Sequence, residues 1–313
     1  MDATITPLGT DVHLIDTKMG GYDAITAAYL IASERPVLVE TGAGRSAEIV
    51  REALGRLGVG PDDLATIVVT HIHLDHAGGV GELAAAFPRA EVVVHERGAR
   101  HLVDPSRLVA SARMVYGELL DSLFGELLPT PAARVRAVGD VGEVDLGGGR
   151  KLTTTYSPGH ASHHVGLLDS LTGDLYVGDA AGVYVPESDL LRPATPPPDF
   201  DLPLALASLQ TFAEQSPERL LFSHYGPVTA VQDTLARSAE ELELWVDLTR
   251  AAKADGLDLD HAVAAVRDRT RERYAAMRAE EGLTEKQETL NGTPANVAGI
   301  WRWLQRSEPD QES

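Results

Sequence analysis

The segment HIHLDH at positions 71–76 contains three histidines and one aspartate within six residues. The apolar run at residues 65–69 directly before it is typical of a buried strand, so the cluster lies where a strand ends and a loop begins. Alternation along an extended segment points His71, His73 and Asp75 to one side, and a turn at Asp75 brings His76 round to join them. Imidazole and carboxylate are ligands that zinc and similar divalent metals prefer. Solvated loop histidines are the alternative, but unsatisfied polar groups at the end of a core strand are costly. We therefore predict a metal site.

The pattern HxHxDH resembles the signature of the metallo-β-lactamase-fold hydrolases, and in particular of their glyoxalase II and lactonase-like branch. Three later segments are similar to the remaining ligand elements of that family: SPGH, YVGD and FSHYG, which contain His160, Asp179 and His224. The resemblance spans roughly residues 10–230. It implies two metal ions held by seven side chains: His71, His73 and His160 on the first, Asp75, His76 and His224 on the second, and Asp179 as the bridge.

This resemblance also implies a mechanism. Two cations about 3.5–4 Å apart can share a water and lower its pKa from about 15.7 towards 7, which supplies a metal-bridging hydroxide at neutral pH. The metals also polarise the attacked group and stabilise the oxyanion. Asp75 is the predicted catalytic residue, which orients the hydroxide or accepts its proton. The expected cofactors are two divalent metal ions, with Zn²⁺ favoured and iron or manganese as alternatives, because nitrogen and oxygen ligands suit all three.

We expect a hydrolase that cleaves an ester, thioester or lactone of a small molecule. A mononuclear, iron-dependent persulfide dioxygenase of the same fold is the alternative, and a phosphodiesterase is another. A non-enzymatic, metal-stabilised scaffold agrees less well with a chain that retains every ligand. Tyr184 is the predicted substrate-binding residue, because it follows Asp179 by five positions and its hydroxyl could reach a substrate oxygen.

Charge and composition exclude other classes. The net charge is −20, from 47 acidic and 27 basic residues, and a surface of this sign repels polyanions, so we expect no nucleic-acid partner. The sequence contains no run of 18 apolar residues, so we expect no membrane-spanning helix. The N-terminus, Met1 to Thr4, lacks the basic and apolar regions of a secretory signal, and cysteine is absent. We expect a cytoplasmic protein without disulfides or thiolate ligands.

The pattern of apolar residues predicts the elements that position the site. Strands are predicted at residues 12–16, 24–31, 36–40, 65–69, 91–95, as several short strands between 135 and 177, and at 220–222. Helices are predicted at 46–57, 80–87, 106–124 and 202–215. Residues 180–200 contain five prolines and are predicted to be an irregular loop that shapes a pocket.

Three residues keep two interpretations at this point. Glu40 ends a strand where the family usually has aspartate, and it is either a carboxylate that orients a ligand histidine or a solvated strand end. Met114 and Tyr116 are either pocket residues or part of an apolar helix face in the core.

The predicted fold is α/β: an αββα sandwich of two mixed β-sheets flanked by helices, with the metals at one edge. Residues 1–228 are predicted to form the catalytic domain. Residues 229–313 carry helical spacing and no strand pattern, and they are predicted to form a helical extension. Its exposed aliphatic and tryptophan faces would either cover the metal cleft or form a homodimer contact.

Overall fold

The computed structural model describes residues 3–9 and 11–308. Met1 and Asp2, part of the N-terminus on which the absence of a secretory signal was predicted, lie outside the described residues, as does the end of the predicted helical extension, 309–313. The chain divides into two compact units: unit 1 comprises Met1–Tyr156, His163–Gly178 and Glu218–Pro227, and unit 2 comprises Ser157–Ser162, Asp179–Pro217 and Val228–Ser313. The predicted single boundary at residue 228 stays a prediction.

The first sheet of unit 1 has seven strands in the order of the chain. They are β1 (Thr4–Pro7), β2 (Val12–Asp16), β3 (Ala27–Ile31), β4 (Val37–Val39), β5 (Thr66–Val68), β6 (Glu91–His95) and β7 (Val135–Val138). The pairs from β1 to β4 are antiparallel and the pairs from β4 to β7 are parallel. The carboxyl ends of β4, β5 and β6 therefore lie at the same edge of the sheet.

The second sheet contains β8 (Val141–Gly147), β9 (Arg150–Tyr156), β10 (Val165–Asp169), β11 (Asp174–Gly178), β14 (Arg219–Phe222) and β15 (Gly226–Val228). Its spatial order is β15-β14-β11-β10-β9-β8. The pair β11 and β14 is parallel, whereas β8, β9, β10 and β11 are joined antiparallel. Both sheets are thus mixed, as predicted.

Two apolar clusters hold unit 1 together. One packs the two sheets face to face and includes Val12, Tyr29 and Val39 from the first sheet with Leu152 and Tyr176 from the second. The other covers the opposite face of the first sheet with helices. These helices are α1 (Ala47–Arg56), α3 (Val80–Ala86) and α4 (Glu96–Val103). The predicted sandwich of two mixed sheets with helices outside is confirmed.

Three further helices of unit 1 follow the strands: α2 (Leu74–Ala77), α5 (Ser106–Tyr116) and α6 (Leu119–Leu123). The prediction of one helix over 106–124 is wrong, because Gly117 has a φ of 55° and separates α5 from α6. Backbone in that region of φ is open to glycine at no steric cost, so the helix ends there.

Unit 2 contains the hairpin β12 (Val183–Val185) and β13 (Leu190–Arg192), followed by α7 (Leu202–Glu214), α8 (Val231–Ala254), α9 (Leu259–Arg269), α10 (Ala275–Ala279), α11 (Leu283–Leu290) and α12 (Thr293–Ser307). The C-terminal region is helical, as predicted. Residues 180–200 are not wholly irregular, because they contain an antiparallel hairpin. Of the five prolines that suggested a loop, one lies in the connection between its two strands, four follow the hairpin, and none lies within the strands.

The predicted exposed tryptophan faces of this region are also corrected: Trp245 and Trp303 are buried, and Trp301 is half-buried. An amphipathic helix that packs on its neighbours buries the apolar face that the sequence reveals. Among the described residues, no helix is both long and apolar enough to cross a membrane.

Candidate metal centre

Two residues separate the HIHLDH segment from the end of β5, and the segment forms a loop that leads into α2. His71 and His73 precede the helix, and His73 has extended backbone with φ −61° and ψ 152°. Asp75 and His76 lie in the single helical turn of α2, which is the turn that the sequence predicted at Asp75. The parallel strand behind the loop fixes the position of these side chains. His71 and His76 are buried, whereas His73 and Asp75 are partly exposed.

His71 is held by a chain of hydrogen bonds that starts at its Nδ1 atom. This nitrogen lies 3.0 Å from Thr70 Oγ1, and Thr70 in turn donates to Glu40 Oε1. The threonine hydroxyl therefore accepts from Nδ1, and the lone pair of His71 is on Nε2. His71 Nε2 lies 3.1 Å from His73 Nδ1. Two ring nitrogens that face each other at this distance are suitably placed to share one cation.

A second group of donors joins α2 to the loop after β14. His224 Nε2 lies 3.2 Å from His76 Nε2 and 3.2 Å from Asp75 Oδ2. His224 Nδ1 donates to the carbonyl of Ile25 at 2.8 Å, which fixes the ring tautomer and leaves Nε2 with the lone pair. The ligand atoms of Asp75, His76 and His224 all lie within 4.8 Å of one another, and the same holds for Glu40, His71 and His76.

Glu40 is buried beneath this cluster, with 1% of its surface exposed. Its Oε1 accepts from Thr70 and from Ser223 at 3.2 Å, and it lies 3.4 Å from His76 Nδ1. Its φ of 63° is uncommon for a residue with a side chain and turns the carboxylate under the histidines. The structure thus supports the interpretation that Glu40 orients ligand histidines and excludes the solvated strand end.

The other two predicted ligands, His160 and Asp179, lie in unit 2. His160 Nε2 lies 3.5 Å from Asp179 Oδ2, and both side chains are buried. His160 Nδ1 donates to the carbonyl of Ala194 at 2.8 Å, so this histidine has the same protein-fixed nitrogen and outward-facing Nε2 as His224. Gly159 before it has a φ of 128°, and a Cβ there would meet the backbone of Ala205 at 2.3 Å. Only glycine fits between the two segments.

The predicted substrate residue Tyr184 lies in β12 and is half-buried. Its hydroxyl donates to Asp189 Oδ1 at 3.2 Å. Partial burial and the neighbouring Asp189 raise the pKa of Tyr184 above its ordinary value, so the hydroxyl stays protonated at neutral pH. Its contact with substrate stays a prediction.

The two interpretations of α5 are separated by exposure. Met114 is 83% exposed, and no residue of α5 is buried, so this helix contributes no core stripe. Tyr116 packs instead on Phe124, with ring centroids 4.7 Å apart. The interpretation of Met114 as a core residue is therefore wrong, and its interpretation as a pocket residue stays a prediction.

Several side chains that support the site were not predicted. Thr70 and Ser223 both bind Glu40, and each directly precedes a predicted ligand histidine. That position next to a ligand was the only signal in the sequence. His163 is half-buried, and its Nδ1 accepts from the backbone N–H of Ile72 at 3.4 Å. Buried His164 lies 5.1 Å from the His71 ring, between centroids, as a supporting residue.

Comparison with known proteins decides the family. Residues 21–224 match the family described as the metallo-beta-lactamase superfamily. The chain belongs to this superfamily. It is 33% identical over 194 residues to the metallo-beta-lactamase fold-containing protein ST1585 of Sulfurisphaera tokodaii, which covers 60% of this chain and 72% of the relative. It is 28% identical over 173 residues to the N-acyl homoserine lactonase AttM of Azorhizobium caulinodans, with 54% and 60% of the two chains covered.

Solved structures agree with this assignment. The crystal structure of ST1585 superposes with a TM-score of 0.62 at 29% identity and covers 75% of this chain and 86% of its own. TTHA1429 from Thermus thermophilus gives a TM-score of 0.65 over 90% of this chain and 88% of its own, at 19% identity, which shows a common fold. This chain is therefore an enzyme of the metallo-β-lactamase superfamily with a helical C-terminal region.

Proposed function

We propose that this superfamily member is a dinuclear metal-dependent hydrolase that cleaves an ester, thioester or lactone of a small molecule. The observation that carries the proposal is the convergence of Asp75 Oδ2, His76 Nε2 and His224 Nε2 within 4.8 Å. The sequence similarity to the N-acyl homoserine lactonase AttM supports this substrate class. His160 and Asp179 are proposed to complete the centre as a ligand and a bridge.

The donor set fits a divalent metal. Cysteine is absent, so every candidate ligand is a neutral imidazole or a carboxylate, which suits zinc, iron and manganese. In His71, His160 and His224 one ring nitrogen is bound to a protein oxygen and the other faces the cluster. Ligand histidines almost always have this arrangement, because the outer hydrogen bond fixes the tautomer and orientation of the ring. Zn²⁺ is the proposed metal.

When bound, such metals lower the pKa of a coordinated water and polarise the carbonyl under attack. The chain's own part is to place Asp75 beside the reacting atoms. Its Oδ2 lies 3.2 Å from His224 Nε2, and its side chain keeps 19% of its surface exposed, so one carboxylate oxygen can bind metal while the group remains open to water. We propose that Asp75 orients the nucleophile and accepts its proton.

Tyr184 is proposed to donate a hydrogen bond to a substrate oxygen. Its raised pKa keeps it a donor across the neutral range. The partner of this site is proposed to be a small molecule and not a nucleic acid, because the net charge of −20 opposes polyanion binding.

The metal count provides the first test. Elemental analysis of the purified protein should give two metal equivalents per chain. One iron and no second metal would instead identify a mononuclear oxygenase of this fold and would overturn the hydrolase proposal.

The bridge provides the second test. Asp179→Asn should lower hydrolysis by at least about 100-fold and reduce metal content, because changes of partners outside the ligand set alone cost about 10–100-fold. Asp260→Asn makes the same chemical change at an exposed position on α9 and should leave both unchanged. Full activity in Asp179→Asn would exclude this residue as the bridge.

The substrate is tested by assays with thioesters, lactones, phosphodiesters and β-lactams on the metal-loaded protein. Activity confined to phosphodiesters would contradict the proposal. A preference for lactones or thioesters would support it, and Tyr184→Phe should then raise KM without loss of bound metal.

A further inference from the structure

Unit 2 contains a cavity of about 180 Å³ that belongs to no part of the proposed metal centre. It lies among β13, α9, α10, α11 and the start of α12, and its lining includes Arg192, Arg267, Arg278 and Glu288. Such a concentration of arginine is unexpected in a chain with a net charge of −20. A concave site with a few convergent polar groups is the ordinary form of a small-ligand site.

Arg192 is the buried floor of this cavity, with 1% of its surface exposed. Its guanidinium carbon lies 5.9 Å from the ring of Trp245 and 5.7 Å from the ring of Tyr274. Contacts of this kind with aromatic faces hold the planar group in one orientation. The apolar rings offer no strong acceptors, so the N–H donors of Arg192 must find partners elsewhere.

Among the described residues, only one of the three guanidinium nitrogens of Arg192 has a hydrogen-bond partner. Arg192 Nη2 donates to Glu288 Oε1 at 2.7 Å and to Thr293 Oγ1 at 3.3 Å. Within the described part of the chain, Nε and Nη1 are buried and have no hydrogen-bond partner. Buried donors are nearly always satisfied in folded proteins, so unpartnered donors at a cavity indicate an acceptor that occupies it.

The charges of the lining do not cancel. Glu288 is shared, because its second oxygen, Oε2, accepts from Arg267 Nη2 at 2.9 Å. Arg278 is exposed, and its side chain makes no hydrogen bond or ion pair with the described residues. Three guanidinium groups thus surround one carboxylate, which leaves a local excess of positive charge. Arginine stays protonated at every physiological pH.

We propose that this cavity binds a small oxyanion, a carboxylate or a phosphate group, through Arg192 at its floor and Arg278 at its rim. An oxyanion supplies the acceptors that Nε and Nη1 of Arg192 lack and neutralises the excess charge. The cavity volume corresponds to about six water molecules at about 30 Å³ each, which admits inorganic phosphate or a short dicarboxylate and excludes a polymer.

Tryptophan fluorescence tests the proposal on the full-length, metal-loaded protein. The chain has three tryptophans, and Trp245 lies against Arg192, so an anion bound to that guanidinium changes the emission of Trp245. Inorganic phosphate and succinate are titrated separately at an ionic strength held constant with sodium chloride. A saturable change with phosphate alone, with succinate alone or with both supports the proposal and identifies the preferred anion.

Variants separate this cavity from the metal centre, which also attracts anions. Arg278→Gln removes the exposed rim charge and should weaken binding about tenfold, the usual effect of losing one charge-assisted hydrogen bond. Arg271→Gln is the matched control, because Arg271 is an exposed arginine of the same region that does not line the cavity, and it should bind as the parent protein does. Asp179→Asn should also retain the response.

The proposal is overturned if neither anion gives a saturable change. It is also overturned if the parent protein and Arg278→Gln bind the anion with equal affinity. A response that disappears in Asp179→Asn but persists in Arg278→Gln assigns anion binding to the metal centre and likewise contradicts the cavity site. Since Arg278 is exposed, its replacement does not depend on whether an Arg192 variant folds.

Discussion

The histidine cluster of unit 1 and the arginine cavity of unit 2 both gather buried polar groups, but they satisfy them differently. In the cluster, Thr70 and Ile25 each bind one ring nitrogen of a neutral histidine and leave the second for a ligand. In the cavity, a permanently charged Arg192 is held by aromatic rings, and two of its nitrogens have no hydrogen-bond partner among the described residues. The cluster adds the carboxylates of Asp75 and Glu40 to its histidines and suits a cation, whereas the cavity has an excess of guanidinium groups and suits an anion. The charge of the surrounding side chains therefore indicates the ligand.

The same comparison shows why one region is visible in the sequence and the other is not. Four of the donors at the histidine cluster come from one segment of six residues, because a strand end and one helical turn bring them together. The cavity takes Arg192, Arg267, Arg278 and Glu288 from separate elements. No local spacing connects them, so only the packing of the helices reveals the site.

Among the variants that keep every proposed ligand, the largest loss of metal affinity is expected at Gly178, whose backbone packs against Thr70 and His164. Its φ is 51°, and a Cβ there would lie 2.4 Å from His164 Nε2 and 2.6 Å from Thr70 Oγ1. Gly178→Ala must displace the threonine that binds His71, and we expect metal affinity to fall about 10–100-fold. Left-handed strain should in addition cost about 1–2 kcal/mol of stability. Metal titration and thermal unfolding measure the two effects.

Gly256→Ala provides the control for Gly178→Ala. Gly256 has a φ of 74°, but a Cβ there meets nothing within 4 Å. This variant should show the loss of stability without the loss of metal affinity. If Gly178→Ala bound metal as tightly as Gly256→Ala, the hydrogen bond that His71 donates to Thr70 would not be what orients His71.

The next effect is expected at the floor of the cavity. Arg192→Met keeps the aliphatic stem but removes the partner of Glu288, and we expect a loss of about 2–3 kcal/mol in the free energy of unfolding. This is less than for a fully buried pair, because the Glu288 side chain is 24% exposed and still binds Arg267. Urea unfolding followed by tryptophan fluorescence measures the loss, with Arg271→Gln as the control. Equal stability of Arg192→Met and the parent would show that the ion pair contributes nothing.

Much of the fold and of the histidine cluster was predictable from the sequence for physical reasons. Alternating and continuous apolar runs reflect which strand faces are buried, and they predicted both sheets. The contact between α11 and β13 was not predictable, because it depends on pairs such as Arg192 with Glu288 that lie 96 residues apart. The exposure of α5 was not predictable either. Apolar residues recur at the same helical spacing on a buried face and on an exposed face, and Met114 is exposed.

A smaller effect is expected beneath the histidines, at Glu40. Glu40→Gln keeps the size of the side chain and one acceptor but removes the charge that faces His76 Nδ1 at 3.4 Å. We expect metal affinity about tenfold weaker, the lower end of the range for partners outside the ligand set. Competition with a chelator measures this directly. Ser223→Ala, which removes a single 3.2 Å hydrogen bond to the same carboxylate, should have less effect. An unchanged affinity in Glu40→Gln would show that burial alone fixes the ring.

The smallest effect on stability is expected at Glu288, the carboxylate that lines the cavity, and its pH dependence follows from the direction of the Glu288 pKa shift. Burial alone would raise the pKa of Glu288, but Arg192, Thr293 and Arg267 outweigh it and hold the pKa below its ordinary value of 4.5. A carboxyl with a lowered pKa in the folded state stabilises the protein above its unfolded pKa and loses that contribution as pH falls through the folded value. Glu288→Gln should therefore be less stable than the parent at neutral pH, and the difference should shrink as pH falls below about 4.5. Urea unfolding at a series of pH values measures it, with exposed Glu243→Gln on α8 as the control. A difference that stayed constant with pH would mean that Glu288 acts through its shape and not through its charge, and the cavity would then hold more uncompensated positive charge than the ion pairs indicate.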